Sequence, residues 1–295
     1  MEKDTSIQVI FITGNGHSGS TLLDIILGSL EGCFSAGELT NITRETIMEE
    51  YCSCNTQIPE CEVWSEIIKS WEAKREISYQ RYQQLRWHYE RNKRTLHALF
   101  SFYRPSADFR DYCLATLHLL QAIRDVTGQS VIIDSSKSPQ RIAVLSKIVD
   151  LQVIHLCRDF TGVINSSKGF ATKNIKAGIE EDNPPRKTWK VVRDWIATNM
   201  VAEIFCGRED SQKVFYKNFV QQPESLRNIH PLFATLNGDD TFKPNHILAG
   251  NALRLKESLK INPRVGFEYK RLTPRQLKFA RWIDQLFPFW SGINT

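Results

Sequence analysis

The chain has 295 residues, 41% of them hydrophobic and 24% charged, and carries a formal net charge of +5. That length can bury a full core, and the balanced composition excludes a disordered or fibrous chain. The mild basicity suits an anionic ligand, and with no lysine/arginine-rich tail it argues against nucleic acid.

No segment is long and apolar enough to span a bilayer, which argues against a membrane protein. Met1–Ser6 run straight into the first apolar stretch and leave no room for a signal peptide, which predicts a cytoplasmic protein. Seven cysteines, an odd number, then read as reduced thiols.

In chain order, Ile7–Thr13 is an apolar strand, Gly14-Asn15-Gly16-His17-Ser18-Gly19-Ser20-Thr21 a glycine-rich turn, and Leu22–Leu30 an amphipathic helix. Such a turn brings backbone N–H groups to bear on an anion at a helix N-terminus. Gly14 and Gly19 have the Walker A spacing, but Ser20 stands where that motif has its lysine. Phosphate-like binding is expected, and nucleoside triphosphate hydrolysis is disfavoured.

Cys52, Cys54 and Cys61 form the one cysteine cluster. They could bind zinc if Cys33 or a histidine supplied a fourth ligand. Two ligand pairs at finger-like spacing are absent, which favours a loop held by packing or by a disulfide.

Residues 62–104 are helical and rich in aromatics, among them Trp64, Trp71, Tyr82 and Trp87. They are expected to pack on a sheet, with part of the stretch serving as a lid. Further on, 130–134 is a strand, 135–139 a turn, 141–149 a helix, 151–157 a strand, and 158–162 a turn into a helix from about Val163. Pro184-Pro185 breaks the chain before a helix over 186–207. Lys213–Tyr216 reads as a strand and Pro223–Leu236 as the helix after it.

This alternation predicts an α/β fold with a central parallel β-sheet flanked by helices. One domain, 1–295, is expected, with 62–128 a mainly helical, aromatic-rich insertion or lid. Ligands of such sheets bind beyond the carboxyl ends of the strands, where the turns at 14–21, 135–139 and 158–162 would meet.

With these motifs in place, the chain resembles the P-loop-like sulfotransferases that use 3′-phosphoadenosine 5′-phosphosulfate (PAPS). Gly16-His17-Ser18-Gly19-Ser20-Thr21-Leu22 resembles their 5′-phosphosulfate loop. Arg158, followed eight residues later by Ser166, resembles their 3′-phosphate motif. Asn245–Lys256, with Gly250, Asn251 and Arg254, resembles the loop that returns to the 3′-phosphate. The Cys52…Cys61-x2-Trp64 stretch resembles one in bacterial members.

The resemblance implies transfer of a sulfuryl group from PAPS to a hydroxyl or amine of a small-molecule acceptor, leaving adenosine 3′,5′-bisphosphate and requiring no metal. A specialised metabolite, partly apolar or cationic to suit the aromatic region, is the acceptor expected. Lys137 occupies the place of the family's catalytic histidine or lysine. Glu38 resembles the glutamate base of the tyrosylprotein branch, a role that a pKa raised by burial would favour. His17 stands where relatives carry lysine or arginine. It would be cationic beside phosphosulfate, or would itself be the base. A small-molecule kinase and a non-catalytic nucleotide-binding module are the alternatives. Ser20 and the Arg158–Ser166 pair oppose the first, and Lys137 and Glu38 oppose the second.

Overall fold

The computed structural model describes residues 2–91, 94–263 and 268–292. Strand β1 (Asp4–Thr13) leads through the glycine turn into helix α1 (Ser20–Gly28) and strand β2 (Cys33–Gly37). Four helices follow: α2 (Glu62–Lys74), α3 (Tyr79–Tyr89), α4 (Thr95–Tyr103) and α5 (Ala107–Thr127). Next come β3 (Val131–Lys137), the short α6 (Ile142–Leu145), β4 (Val149–Cys157), α7 (Phe160–Ser167) and α8 (Thr188–Cys206). The chain continues through β5 (Asp210–Phe215), α9 (Tyr216–Gln221), α10 (Pro274–Leu286) and α11 (Pro288–Ser291).

The strands form one sheet in the order β2-β3-β1-β4-β5, all pairs parallel. The α/β architecture expected from the alternation is therefore observed. In central β1, Val9 and Phe11 join one core and Ile10 and Ile12 the other, all at 0% exposure, so the apolar run is explained by burial on both faces. The first crossover leaves β1 toward β2, while β4 and β5 build the opposite side. The sheet therefore switches direction at β1, and a crevice opens beyond its carboxyl end.

The helical region over 62–127 packs down onto the sheet. Trp71, Tyr82 and Tyr112 are fully buried, with Trp71 and Tyr82 in edge-on contact at 5.0 Å. The indole of Trp71 donates to the carbonyl of Ala115 on α5 (2.8 Å). These aromatics share the core cluster that contains Val9 and Phe11, so the packing expectation holds for them.

Several boundaries differ from the sequence reading. Strand β3 runs on to Lys137, because Ser135 and Ser136 find buried partners in Asp24 and Asp134 instead of forming a solvated turn. The helix expected over 141–149 shrinks to α6, and Val149 already belongs to β4. The helix expected over 223–236 is two 3₁₀ turns, Pro223–Asn228 and Pro231–Thr235, since Pro231 lacks the N–H that a continuous helix needs. Strand β2 and helix α10 were not anticipated.

Candidate active site

Five strand ends converge on one edge, and the sequence motifs sit on them. The glycine loop after β1 turns into α1 with no side-chain cap on Gly19, leaving the first-turn N–H groups directed at the loop mouth. Gly19 is left-handed (φ 94°), and a Cβ there would lie 2.5 Å from the Tyr216 ring, so only glycine allows this approach. Ser18, Ser20 and Thr21 are buried around it, and Gly16 is exposed at the tip.

Lys137 and Glu38 stand beside this loop. The Lys137 carbonyl accepts from Thr13 Oγ1 (2.8 Å) and from the Gly14 N–H (3.4 Å), which joins β3 to the loop. Its ammonium is ion-paired with Glu38 Oε1, and Asn41 donates to Glu38 Oε2 (2.9 Å). Their side chains are 26% and 17% exposed, so solvent and ligand still reach the pair. Burial pushes the Glu38 carboxyl up, but Lys137, Arg44 and the Asn41 hydrogen bond together hold it below the ordinary glutamate range. The raised pKa that would have favoured Glu38 as a base is thus reversed by its ion pair, and Glu38 is a carboxylate at neutral pH.

His17, at the loop tip, is also left-handed (φ 69°), as is Lys137 (φ 70°). Side chains with a Cβ keep such backbone only where surroundings impose it. Arg158 Nη1 donates to the His17 carbonyl (2.9 Å), and Ser166 Oγ lies 3.1 Å from His17 Nδ1. Partial desolvation, then the charges of Arg186, Lys137 and Arg158, lower the His17 pKa from 6.5 to about 4. The ring is therefore neutral at neutral pH. The Arg158–Ser166 motif accordingly braces the glycine loop directly. Asp159 caps α7 by accepting from the Gly162 N–H (2.8 Å).

Tyr216 was missed by the sequence reading. It opens α9 after β5, touches Gly19, and carries the Arg158 guanidinium over its ring at 4.0 Å. Its only sequence signal was its place at the end of the strand read over Lys213–Tyr216, which in the structure stops at Phe215. Asp24 was missed too. It is buried on α1, accepts from Ser35 Oγ (2.5 Å) and Ser135 Oγ (2.6 Å), and burial with nearby Asp134 and Glu38 raises its pKa to about 7.

The 245–256 loop meets the glycine loop at Thr21. Gly250 approaches Thr21 and Glu38, and Asn251 N–H donates to Thr21 Oγ1 (3.3 Å). The left-handed Gly37 (φ 73°) permits this, since a Cβ there would lie 2.6 Å from the Ala249 carbonyl. Arg254 is fully buried, 3.6 Å from Glu50 Oε2, with Arg44 and Glu38 as its other charged neighbours. With no exposed surface, Arg254 presents no open face to a 3′-phosphate in this structure. Gly250 and Asn251 thus belong to the Thr21–Glu38 side of the crevice.

A cavity of about 200 Å³ is lined by Thr40, Arg86, Trp87, Glu90, Arg91, Ser136 and Ser138, the two serines flanking Lys137 in the chain. The Arg91 guanidinium lies over the Trp87 ring at 3.8 Å.

No protein-family model and no curated protein matches the sequence. Among solved structures, the chain is similar to the sulfotransferase domain from the Synechococcus PCC 7002 olefin synthase, at 16% identity and TM-score 0.49 over 97% of this chain and 96% of that one. It is also similar to the sulfotransferase domain from the curacin biosynthetic pathway, at 14% identity and TM-score 0.48 over 97% and 99%. Sulfotransferase STF9 from Mycobacterium avium aligns at 12% identity and TM-score 0.40 over 95% of this chain and 77% of that one.

Proposed function

We propose that this protein transfers a sulfuryl group from PAPS to a hydroxyl or amine of a small-molecule acceptor. The observation that carries the reading is the Lys137–Glu38 pair at the mouth of a glycine loop that has Ser20 where an ATPase has lysine.

The residues fit the donor. Uncapped N–H groups at the start of α1 and the buried hydroxyls of Ser18, Ser20 and Thr21 would hold the 5′-phosphosulfate. Arg158, mostly buried and stacked on Tyr216, would give a fixed fork to the 3′-phosphate, with Ser166 beside it. PAPS supplies the activated sulfuryl group.

The protein's part is placement and charge neutralisation, as in phosphoryl transfer. Lys137 would turn its ammonium from Glu38 toward the bridging oxygen of the leaving phosphate. Glu38, released from its cation, becomes more basic and would take the acceptor's proton. The cavity lined by Ser136 and Ser138, which flank Lys137 in the chain, would seat the acceptor.

The direct test is a melting assay. Adenosine 3′,5′-bisphosphate without magnesium should stabilise the chain, by about 2.7 kcal/mol at a hundredfold excess over its dissociation constant. MgATP should not. Stabilisation by MgATP alone would point to a kinase and end this reading. Incubating a metabolite extract with labelled PAPS, followed by mass spectrometry, would then identify the acceptor.

A further inference from the structure

Cys52, Cys54 and Cys61 are brought together with His246, almost two hundred residues further along the chain. The three Sγ atoms and one ring nitrogen all lie within 4.8 Å of one another. His246 Nδ1 is 3.2 Å from Cys61 Sγ and 3.9 Å from Cys52 Sγ. For tetrahedral zinc, bonds of about 2.3 Å to sulfur and 2.0–2.1 Å to nitrogen put neighbouring ligand atoms roughly 3.5–3.8 Å apart. The observed separations bracket that spacing. We propose that this cluster is a structural Cys3His zinc site that fastens the 246–251 loop to the rest of the protein.

The framework around the cluster is built to aim these atoms. Asn55 N–H donates to the Cys52 carbonyl (2.9 Å), and Cys52 N–H to the Thr56 carbonyl (2.8 Å), folding Cys52–Thr56 into a tight knuckle. Cys61 occupies the N-cap position of α2. The fully buried Trp64 indole donates to the His246 carbonyl, and Ser53 Oγ accepts from the Ile247 N–H (2.9 Å). Asn55 (φ 67°) and His246 (φ 51°) are both left-handed, a conformation imposed here by the knuckle and by the turn that points the imidazole inward.

Charge supports the assignment. Three thiolates, a neutral imidazole and Zn²⁺ sum to −1. Arg254, fully buried nearby, has no hydrogen bond to any of its three side-chain nitrogens among the described residues, and Glu50 Oε2 at 3.6 Å also lacks one. An anionic zinc–thiolate centre gives that guanidinium a second partner of opposite charge beside Glu50. The fourth ligand comes from a histidine, which the finger-spacing argument from sequence undervalued. Cys33, the other candidate, lies at the start of β2 in the opposite core.

The site would tie the 51–61 knuckle to the loop whose Ala249 carbonyl accepts the Glu38 N–H (3.2 Å) and whose Asn251 reaches Thr21. It stands whether or not the proposed transferase reading survives.

The full chain, purified under reducing conditions, should carry one zinc per molecule by inductively coupled plasma mass spectrometry. An organomercurial should release it as three thiols react. Cobalt exchanged into the site should show tetrahedral d–d bands and a thiolate charge-transfer band. Cys54→Ser, at the exposed rim, should bind zinc at least tenfold more weakly, and His246→Ala should lose it. Cys33→Ser should keep it. Substoichiometric metal in the wild-type chain, stoichiometric iron in its place, zinc that survives mercurial treatment, or a Cys52–Cys61 disulfide by mass spectrometry would each overturn the assignment. Should His246→Ala not fold, mercurial release and the cobalt spectrum decide it on the wild-type protein.

Discussion

The ammonium of Lys137, at the end of β3, is ion-paired with the carboxylate of Glu38, just past β2, and these two strands are neighbours in the sheet. Lys137→Ala should lower turnover by a factor on the order of 100 or more, the scale of losing one preorganised charge donor. It should also leave Glu38 without the cation that offsets its burial. The carboxyl pKa then rises, so the acid limb of residual activity should move to higher pH. Rate profiles of both proteins would show this. An unmoved limb would mean the pair does not set the ionisation of Glu38.

Glu38 and His17 are both unprotonated at neutral pH, Glu38 as a carboxylate and His17 as a neutral ring with a pKa near 4. PAPS bound in the loop would add negative charge beside His17 and favour its protonated form, and a ring that already carries the proton cannot take the acceptor's. Glu38→Gln should therefore abolish turnover while binding of adenosine 3′,5′-bisphosphate survives. His17→Lys should keep substantial activity. The reverse ranking in steady-state assays would transfer the base role to His17.

Arg158→Ala should weaken adenosine 3′,5′-bisphosphate by roughly 2–4 kcal/mol. The 3′-dephospho analogue should weaken less, yet measurably, because Arg158 also holds the His17 carbonyl. Tyr216→Leu should give a smaller loss for the bisphosphate by freeing the guanidinium stacked on it. Calorimetric titration of both ligands separates the effects. Equal losses for the two ligands in Arg158→Ala would show that Arg158 does not read the 3′ group.

Asp24 gives a stability signature. Its folded pKa is raised from 3.8 to about 7, so between these values the folded chain holds a proton that the unfolded chain has released. Its contribution to stability is present at about pH 4, falls as pH rises, and is gone above about pH 7. Asp24→Asn should flatten the dependence of unfolding free energy on pH across that window, as measured by urea titration. An unchanged slope would show that Asp24 does not titrate there.

Arg141 is fully buried and bridges Asp134 (2.7 Å) and Glu90 (2.9 Å), the former three residues before Lys137. Arg141→Ala should cost about 3–5 kcal/mol, since two buried carboxylates lose their cation. Denaturant unfolding checks it, and a loss under 1 kcal/mol would mean that the carboxylates take up protons instead.

The glycine loop, the strand–helix alternation and the aromatic helices were legible in the sequence because each depends on local order. The glycine loop requires glycines next to an apolar strand, and buried parallel strands require unbroken apolar runs. Strand β2 was not legible. Cys33-Phe34-Ser35-Ala36-Gly37 is short, lacks β-branched residues, and is held by pairing with β3 and by Ser35 reaching Asp24. The two 3₁₀ turns after β5 were misread because apolar spacing outweighed the prolines.

By itself the sequence singled out residues for an anion: the loop at 14–21, Lys137, Arg158 and Ser166. Only the tertiary structure decided how their charges act. Glu38 has its pKa lowered because Lys137 comes within ion-pair distance from a strand almost a hundred residues away. Arg254 is sealed against Glu50, and His246 completes a cluster with cysteines far back in the chain. Electrostatic energy and metal geometry depend on distance in space, which the order of residues along the chain does not encode.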